Sequence, residues 1–561
     1  MLTPVDGPAE KLRGGRGFPV RERWTVALLF AVMTVALAVG ARTDGITVDE
    51  PVYVSAGYRH LTALDFRLNP ETPPLAKMLV ALPLVPLRLH RPLAPGEWGW
   101  VYRFFHENSA SRIIAWARVP PIVLSLLLAA IVWAWARAEH GPAAGLAALA
   151  LTAFHPSLLA HGHLATTDLP SALTFVATSW AFRRWLLAPT LGRAVVVALA
   201  LAAAVLTRLT GWLLVPSLAI VAAIELWRLP RGARRPLLRA LALLAAVAIV
   251  VVPVATWAAY GGRHAPWPGR SVAEPAAPDL GLAGRAVAGL GSARALPEAY
   301  VEALRFQLAH AVEGHRAYLL GELSDTGWRA YYLVAFAVKN TPGFLLALVA
   351  AAAIALRARA WGGAPWHWLV PAALLFVTVS AGRIDIGERY LLPVYPYAML
   401  LAAAAVPRVV AWRRGPWLLA IVLALHALPS LMAAPRGYLT YFNLLAGGPA
   451  RAHRVLADSN LDWGQDLPRL RRWMREQGVE EVQLAYHGSD DPERLGIRAR
   501  DLPGVHLYPG RPAARPFEGV VAVSPNLLLG IVEPKGPNPY PELRRRRPDG
   551  RAGVFFIYRM P

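Results

Sequence analysis

Residues 24–41 read WTVALLFAVMTVALAVGA, and residues 42–50 continue as RTDGITVDE. An apolar run of about 20 residues crosses a bilayer as a helix, because no water is present there to satisfy an open backbone. This run is longer than the apolar core of a signal peptide, so we expect it to remain as an uncleaved anchor. Similar runs predict about eleven transmembrane helices. They lie at roughly 24–41, 113–135, 142–160, 168–187, 193–208, 211–227, 237–258, 331–355, 366–381, 390–407 and 416–433.

The composition is that of a membrane protein. Hydrophobic residues make up 55% of the 561 residues, and the mean hydropathy is +0.38. The formal net charge of +22 comes mainly from arginines in short loops on alternate sides of the predicted helices. The positive-inside rule places these loops in the cytoplasm, which argues against a nucleic-acid partner. Since the chain has no cysteine, disulfides and Cys-type zinc sites are excluded.

The charge pattern also predicts the domain organisation. Residues 1–23 form a cytoplasmic tail and residues 24–434 a transmembrane domain in the plasma membrane. Large loops at about 42–112 and 259–330 lie on the extracytoplasmic side, as do residues 435–561. This last region has short apolar runs typical of strands and one helical segment. The strands are predicted at Val482–Tyr486, Val505–Tyr508, Val520–Val523 and Val554–Tyr558, and the helix at Leu467–Gln477. The predicted fold class is an all-α polytopic membrane protein with a small extracytoplasmic C-terminal α/β domain.

Two clusters in the first long loop carry candidate chemistry. Asp49 and Glu50 are adjacent carboxylates just beyond the first apolar run, where a low-dielectric surface can raise a pKa into the range of a general base. The alternative is a polar cap on the loop. The segment from Asn69 to Lys77 has paired prolines before a predicted helix, whose N-terminus would attract anions. In the alternative, Glu71 only complements the helix dipole.

Two further clusters lie on the same predicted side. His163 and its neighbours invite a metal-binding interpretation, although histidines in such turns are commonly held by hydrogen bonds. Asp168 either caps the next helix or provides a second carboxylate facing Asp49. Arg389 is placed to bind a lipid phosphate through its planar guanidinium, or else extends toward the membrane surface.

The C-terminal region contains one more polar stretch, Asp458-Ser459-Asn460-Leu461-Asp462-Trp463-Gly464-Gln465-Asp466. Hydrogen-bonding side chains beside an aromatic ring suit a sugar. They equally suit a turn and a helix cap inside the α/β domain, and this structural interpretation is the one we favour from sequence.

Four motifs in order resemble a known family. They are Asp49-Glu50, the segment Asn-Pro-Glu-Thr-Pro-Pro-Leu-Ala-Lys at 69–77, Thr-Thr-Asp at 166–168 and Arg-Tyr-Leu-Leu-Pro at 389–393. Together they resemble GT-C fold membrane glycosyltransferases, in particular bacterial relatives of the dolichyl-phosphate-mannose protein mannosyltransferases (glycosyltransferase family 39) and of the lipid A aminoarabinose transferases. The resemblance runs from about Thr47 to about Asp466.

The resemblance implies an enzyme whose donor is a sugar on a polyprenyl phosphate. The family's catalytic acid in the first outer loop maps to Asp49, beside Glu50, and a second outer-face acid maps to Asp168. Glu71 matches an acid near the family's active site that contacts a divalent metal in some members. Thr72 departs from the family pattern, because relatives often have Lys or His there.

The expected reaction is a direct displacement at the anomeric carbon. Asp49 takes the proton of an acceptor hydroxyl on a protein, lipid or glycan. Arg389, with Arg59 and Lys77 behind it, meets the charge of the departing phosphate.

Two other functional classes are open from sequence. A transporter or flippase of a lipid-linked glycan needs ionisable residues near the middle of its helices, and Arg208 and His426 are the main candidates. A structural assembly subunit would use the C-terminal domain for docking. We favour the enzyme because most ionisable groups lie at the outer margin of the apolar runs.

Overall fold

The computed structural model describes residues 20–94, 96–265, 280–357, 365–510, 512, 517–533 and 539–561. Residues 1–19 of the predicted tail and 266–279 of the predicted second loop lie outside these ranges. The described residues are mostly helical, as predicted. The helices are α1 (Val20–Thr43), α2 (Glu50–Ala63), α3 (Pro74–Ala81), α4 (Glu97–Glu107), α5 (Ala110–Ala117), α6 (Val119–His140), α7 (Pro142–Ala153), α8 (Pro156–His161), α9 (Asp168–Leu187), α10 (Leu191–Thr207), α11 (Leu214–Arg228), α12 (Arg231–Ala259), α13 (Gly281–Ser292), α14 (Glu298–Glu313), α15 (Tyr331–Lys339), α16 (Pro342–Arg357), α17 (Trp366–Ala381), α18 (Tyr395–Ala404), α19 (Val406–Val410), α20 (Gly415–Ala433), α21 (Leu467–Gln477), α22 (Pro525–Leu528) and α23 (Tyr540–Arg545).

Several helices are apolar enough to cross a membrane, which makes the chain a multi-pass membrane protein. Within the described ranges, five segments satisfy both length and composition, and a bent pair adds a sixth. Shorter apolar helices of 10–17 residues accompany them. These lengths do not confirm the predicted count of about eleven spans. The five long segments are Val20–Thr43, Ala110–His140, Leu209–Arg228, Arg231–Ala259 and Gly415–Arg436.

The predicted span 331–355 is not one continuous helix. The chain bends by 113° between α15 and α16. Pro342 begins α16, and the residue before a proline is driven out of the helical conformation. The Thr341 hydroxyl accepts a hydrogen bond from the Phe344 amide at 3.2 Å and so caps the second helix. The apolar pattern does not reveal this helix start, because apolar residues continue on both sides of it.

The predicted pair 193–208 and 211–227 is broken at Arg208. Its backbone is extended, with φ −154° and ψ 140°, which ends α10. A short 3-10 turn, Leu209–Leu213, leads into α11. The break turns a charged residue away from the helix axis and makes it available to a neighbouring element.

The first long loop is folded into helices. It contains α2, α3, the 3-10 helix Leu82–Leu87, α4 and α5. Gly57 on α2 lies against the backbone carbonyl of Lys77 on α3, and a Cβ at this position would collide with it. The close packing of α2 against α3 therefore depends on a residue that has no side chain.

The C-terminal region contains the predicted helix, and a strand overlaps each of the four predicted strand segments. The strands are β1 (Ala317–Leu319), β2 (Glu322–Ser324), β3 (Glu481–Ala485), β4 (His487–Gly488), β5 (Arg498–Asp501), β6 (Val505–His506), β7 (Val520–Val523), β8 (Gly550–Ala552) and β9 (Phe555–Arg559). A five-stranded sheet has the order β5-β3-β7-β9-β8, in which β3 is parallel to β5 and β7 while β9 is antiparallel to β7 and β8. A two-stranded hairpin in the second loop and a short parallel pair complete the strands.

The connection between the helices and this sheet is closely packed. The Asn443 amide donates to the Val338 carbonyl at 2.9 Å. The buried Lys339 ammonium donates to the carbonyls of Leu439 and Asn460, each at 2.7 Å. The segment that follows residue 435 is thus anchored to α15, and the predicted domain boundary there stays a prediction.

Candidate functional site

The candidate site forms around Asp49, the residue that precedes α2. Arg389 donates from Nη1 to Asp49 Oδ2 at 2.6 Å, across 340 positions of sequence. Arg389 lies in a short 3-10 turn, Glu388–Leu391, just before α18. Burial by itself lowers the pKa of Arg389, but the carboxylates of Asp49 and Asp168 outweigh it and raise that pKa well above its usual value. Arg389 is therefore a fixed positive charge in the site.

Asp168 provides a second carboxylate. It begins α9, is buried, and pairs through Oδ1 with Arg208. Its other oxygen lies 3.9 Å from Arg389 Nη1 and has no hydrogen-bond partner among the described residues. The guanidinium of Arg208 in turn lies over the ring of Tyr390, at 4.4 Å from its centroid. The structure thus brings Asp49, Asp168 and Arg389 together, while their chemical roles stay predictions.

Glu50 has different surroundings from its neighbour Asp49. Its carboxylate forms two short contacts with Arg118, at 2.8 and 2.7 Å, and it also accepts from the amides of Thr47 and Ala165 at 3.0 and 2.9 Å. Burial alone raises the pKa of Glu50, but Arg118 outweighs burial and lowers it. With its oxygens fully engaged, Glu50 is placed to hold the first turn of α2. A direct catalytic role, as predicted from sequence, has no support in these contacts.

The predicted auxiliary cations are bound within their own loop. Arg59 pairs with Asp65 and lies 4.9 Å from the centroid of the Trp100 ring. Lys77 donates to the carbonyls of Asn69 and Thr72 at 2.7 and 2.6 Å. Burial lowers the pKa of Lys77 to about 7, which weakens it as a cation at neutral pH. No contact between described residues joins either side chain to Asp49 or Arg389.

The two residues predicted to contact a metal or substrate are also partnered. Glu71 accepts a hydrogen bond from the Asn69 amide group. His163 lies 3.1 Å from Asp44 through Nε2 and 2.9 Å from the Leu159 carbonyl through Nδ1. In the part of the chain that the structure describes, no three His, Asp or Glu side chains are grouped to hold a metal ion.

The polar stretch of the C-terminal region reaches the site. The ring of Trp463 lies under Arg389, with the guanidinium carbon 4.3 Å from the ring centroid. Asp458, whose φ of +56° is left-handed, is near enough to Arg389 and Asp49 to interact electrostatically, and burial raises its pKa to about 6. The sequence left a ligand role and a structural role open for this stretch, and its C-terminal end is structural, because Asp466 accepts from the Val554 amide at 2.9 Å.

The sequence did not predict that Arg118, Arg208 and Trp463 belong to the site. One signal was present for Arg118, because an arginine inside an apolar run must find a partner. Arg208 was noted only as a candidate for a transporter. For Trp463 the signal was its place in the polar stretch 458–466, which suits a sugar, but nothing local indicated its distant partner Arg389.

The same polar stretch predicts a pH dependence of stability. Asp462 accepts from the Ser524 hydroxyl and, at 3.1 Å, from the Gly464 amide, yet burial raises its pKa to about 7. An unfolded aspartate titrates near about 3.9, so the folded state holds an extra proton between these values. Stability due to this group is present at low pH and is lost as the pH rises through about 7. The slope reaches about 1.4 kcal/mol per pH unit.

Asp462→Asn removes this titration. We expect the thermal midpoint of this variant in detergent to fall less with rising pH than the midpoint of the unmodified chain. The comparison runs from about pH 5 to about pH 8, which covers most of the range in which Asp462 titrates. Asp549→Asn, at a half-exposed carboxylate, is the matched control and should keep the original dependence. Identical pH profiles for all three proteins would show that Asp462 is ionised throughout.

The chain is similar to several known proteins. Residues 97–257 match the family model described as dolichyl-phosphate-mannose-protein mannosyltransferase. This match includes Asp168 and Arg208 but neither Asp49 nor Arg389. No curated protein matches the chain.

Three solved structures are also similar. ArnT from Cupriavidus metallidurans in the apo state is 18% identical, covering 82% of this chain and 73% of that one, with a TM-score of 0.47. ArnT from the same organism bound to undecaprenyl phosphate is 15% identical, covering 95% and 97%, with a TM-score of 0.48. The archaeal oligosaccharyltransferase AglB from Archaeoglobus fulgidus, in complex with an inhibitory peptide and a dolichol-phosphate, is 14% identical, covering 88% and 62%, with a TM-score of 0.42. The family model over residues 97–257 confirms the resemblance of this chain to the dolichyl-phosphate-mannose-protein mannosyltransferases.

Proposed function

We propose that this protein is a membrane glycosyltransferase that moves a sugar from a polyprenyl-phosphate carrier to a hydroxyl acceptor on the extracytoplasmic face. The observation that carries the proposal is the contact of Arg389 with both Asp49 and Asp168. A fixed cation beside two carboxylates, at the ends of apolar helices, suits a reaction that expels a lipid-linked phosphate. The carrier's tail stays in the membrane while its sugar reaches the site.

The chemical step is one displacement. The acceptor oxygen attacks the anomeric carbon as the bond from that carbon to the phosphate oxygen breaks, which inverts the configuration. Asp49 takes the acceptor's proton. The phosphate leaves with the bonding electrons, and Arg389 stabilises its charge. Arg208 supports this role, because it neutralises Asp168 behind Arg389.

The ion pair of Asp49 with Arg389 has a consequence for the order of events. A guanidinium prefers a phosphate that it can bind through two parallel hydrogen bonds. The donor phosphate would therefore draw Arg389 away from Asp49. The released carboxylate could then accept a proton, so donor binding would precede activation of the acceptor.

Topology completes the proposal. About eleven membrane crossings, with the N-terminus in the cytoplasm, would place the first loop and the C-terminal α/β region together outside the plasma membrane. The contact of Arg389 with Trp463 supports this arrangement, because both residues must lie on one side. Membrane lipids would surround the apolar helices.

The test is a paired comparison of cells with and without the gene product by mass spectrometry of lipid-linked sugars and envelope glycans. We expect the cells without it to accumulate one polyprenyl-phosphate sugar and to lose that sugar from a protein, lipid or glycan. Complementation with the gene should reverse both changes, and purified protein should catalyse the transfer. If the amounts of lipid-linked sugars and of envelope glycans were the same in both kinds of cell, the proposed transferase activity would be refuted. A flippase would move a lipid-linked glycan between leaflets without performing the purified reaction.

A further inference from the structure

The C-terminal region contributes an aromatic ring to the centre of the candidate site. The ring of Trp463 is buried, and its face lies 4.3 Å from the guanidinium carbon of Arg389. The ring of Trp463 also contacts the ring of His161, with 5.7 Å between the two ring centroids. A guanidinium stacked on an indole is attracted by the negative face of the ring, most strongly where water is excluded. This contact therefore restrains the plane of Arg389.

The position of the ring is set by backbone contacts next to Asp49. The Trp463 carbonyl accepts from the Val48 amide at 2.9 Å, and the Gln465 carbonyl accepts from the Gly45 amide at 2.8 Å. The Trp463 amide donates to the Gln465 side chain at 2.7 Å, which fixes the turn from within. The segment that holds the ring is thus paired with the residues that lead into the catalytic candidate.

The same segment also holds the turn that presents Arg389. The Asn460 side-chain oxygen accepts from the Glu388 amide at 2.8 Å. The Ser459 hydroxyl donates to the Ile386 carbonyl. Gly387 lies so close to Ser459 that a Cβ would collide with its hydroxyl oxygen. The 386–389 turn and the 459–463 segment therefore form one tightly fitted unit.

Arg389 depends on this unit because its other restraints are few. Its Nη1 atom bonds Asp49, and its buried Nε has no hydrogen-bond partner among the described residues. If a phosphate displaces Asp49, as the proposed function requires, the ring of Trp463 and the carboxylate of Asp168, 3.9 Å from Nη1, are the contacts that stay in place. The guanidinium would then keep its plane through the exchange of partners.

We propose that Trp463 is a positioning residue for the carrier phosphate, through which the C-terminal region holds Arg389 ready to bind it. This inference rests on the proposed function and gives the C-terminal region a role in it. The region is accordingly a component of the donor site, and polyprenyl-phosphate affinity depends on it.

The experiment measures the dissociation constant of undecaprenyl phosphate for the purified full chain in detergent. Trp463→Leu removes the ring and should weaken binding about 10-fold, whereas Trp463→Phe keeps an aromatic face and should weaken it by no more than about 3-fold. Trp412→Phe, at an exposed tryptophan, is the matched control and should bind like the unmodified chain. Thermal midpoints identify any variant that has lost its fold, and the Phe variant then carries the comparison.

A double substitution separates positioning from general support. Arg389→Lys keeps the charge but removes the planar group, so it should weaken undecaprenyl phosphate binding on its own. Trp463→Leu added to Arg389→Lys should cost little more, because the two residues act through one contact. Independent, multiplicative losses would overturn the inference. The inference would also be overturned if folded Trp463→Leu bound undecaprenyl phosphate normally while Arg389→Lys bound it weakly. Normal binding by Arg389→Lys would instead refute the role of Arg389 in phosphate binding, which belongs to the proposed function.

Discussion

Asp49→Asn is expected to lower sugar transfer by about 100- to 10,000-fold, the usual contribution of a general base. Asparagine has the same shape and its amide oxygen can still accept from Arg389, which bonds Asp49 at 2.6 Å. It cannot take a proton from the acceptor. The fold and the binding of the carrier phosphate should therefore persist while the chemical step fails. Transfer is measured with purified protein and the donor and acceptor identified from the cell comparison.

The control for this variant is Asp325→Asn. Asp325 is exposed and pairs with Arg316 at the protein surface, where an ion pair contributes little to stability. It should transfer sugar at the unmodified rate. Asp49→Asn protein that is folded, binds undecaprenyl phosphate and still transfers sugar at the full rate would reject Asp49 as the base and move attention to Asp168 or Asp458.

Glu50→Ala is expected to be strongly destabilising, by about 3–5 kcal/mol, because it leaves a buried charge without its partner. Arg118 is 1% exposed and Glu50 is completely buried. The guanidinium of Arg118 also donates to the carbonyls of Asp44 and Gly45, each at 2.7 Å. The loop that carries Asp49 would therefore lose its anchor. The measurements are the thermal midpoint and the yield of monodisperse protein in detergent.

Glu50→Gln provides the comparison. The amides of Thr47 and Ala165 bond different oxygens of Glu50, so the glutamine side chain can still accept from one of them. It loses the charge and the second acceptor. We expect a smaller loss of stability and measurable transfer activity. If Glu50→Gln instead abolished transfer while keeping its fold and its midpoint, Glu50 would act in the chemistry and its assignment as the anchor of α2 would be wrong.

Local patterns in the sequence were sufficient to predict much of the secondary structure of this protein. Apolar runs located most helices, because burial of backbone in lipid demands a helix wherever such a run occurs. Short β-branched runs located strands such as Val520–Val523, and proline placed the start of α3 at Pro74. The motifs around Asp49 and Arg389 identified residues that the structure brings into contact. Each of these features depends on residues that are close together in the chain.

The tertiary structure alone decided what each of the two adjacent carboxylates contacts. Asp49 meets Arg389, whereas Glu50, one position later on the first turn of α2, meets Arg118. It also decided that Arg208 pairs with Asp168 and that Trp463 lies under Arg389. These partners are separated by 40 to 340 positions, and no local pattern encodes such a pairing. A buried charge must find a partner somewhere, but only the packing of helices and loops determines which one it meets.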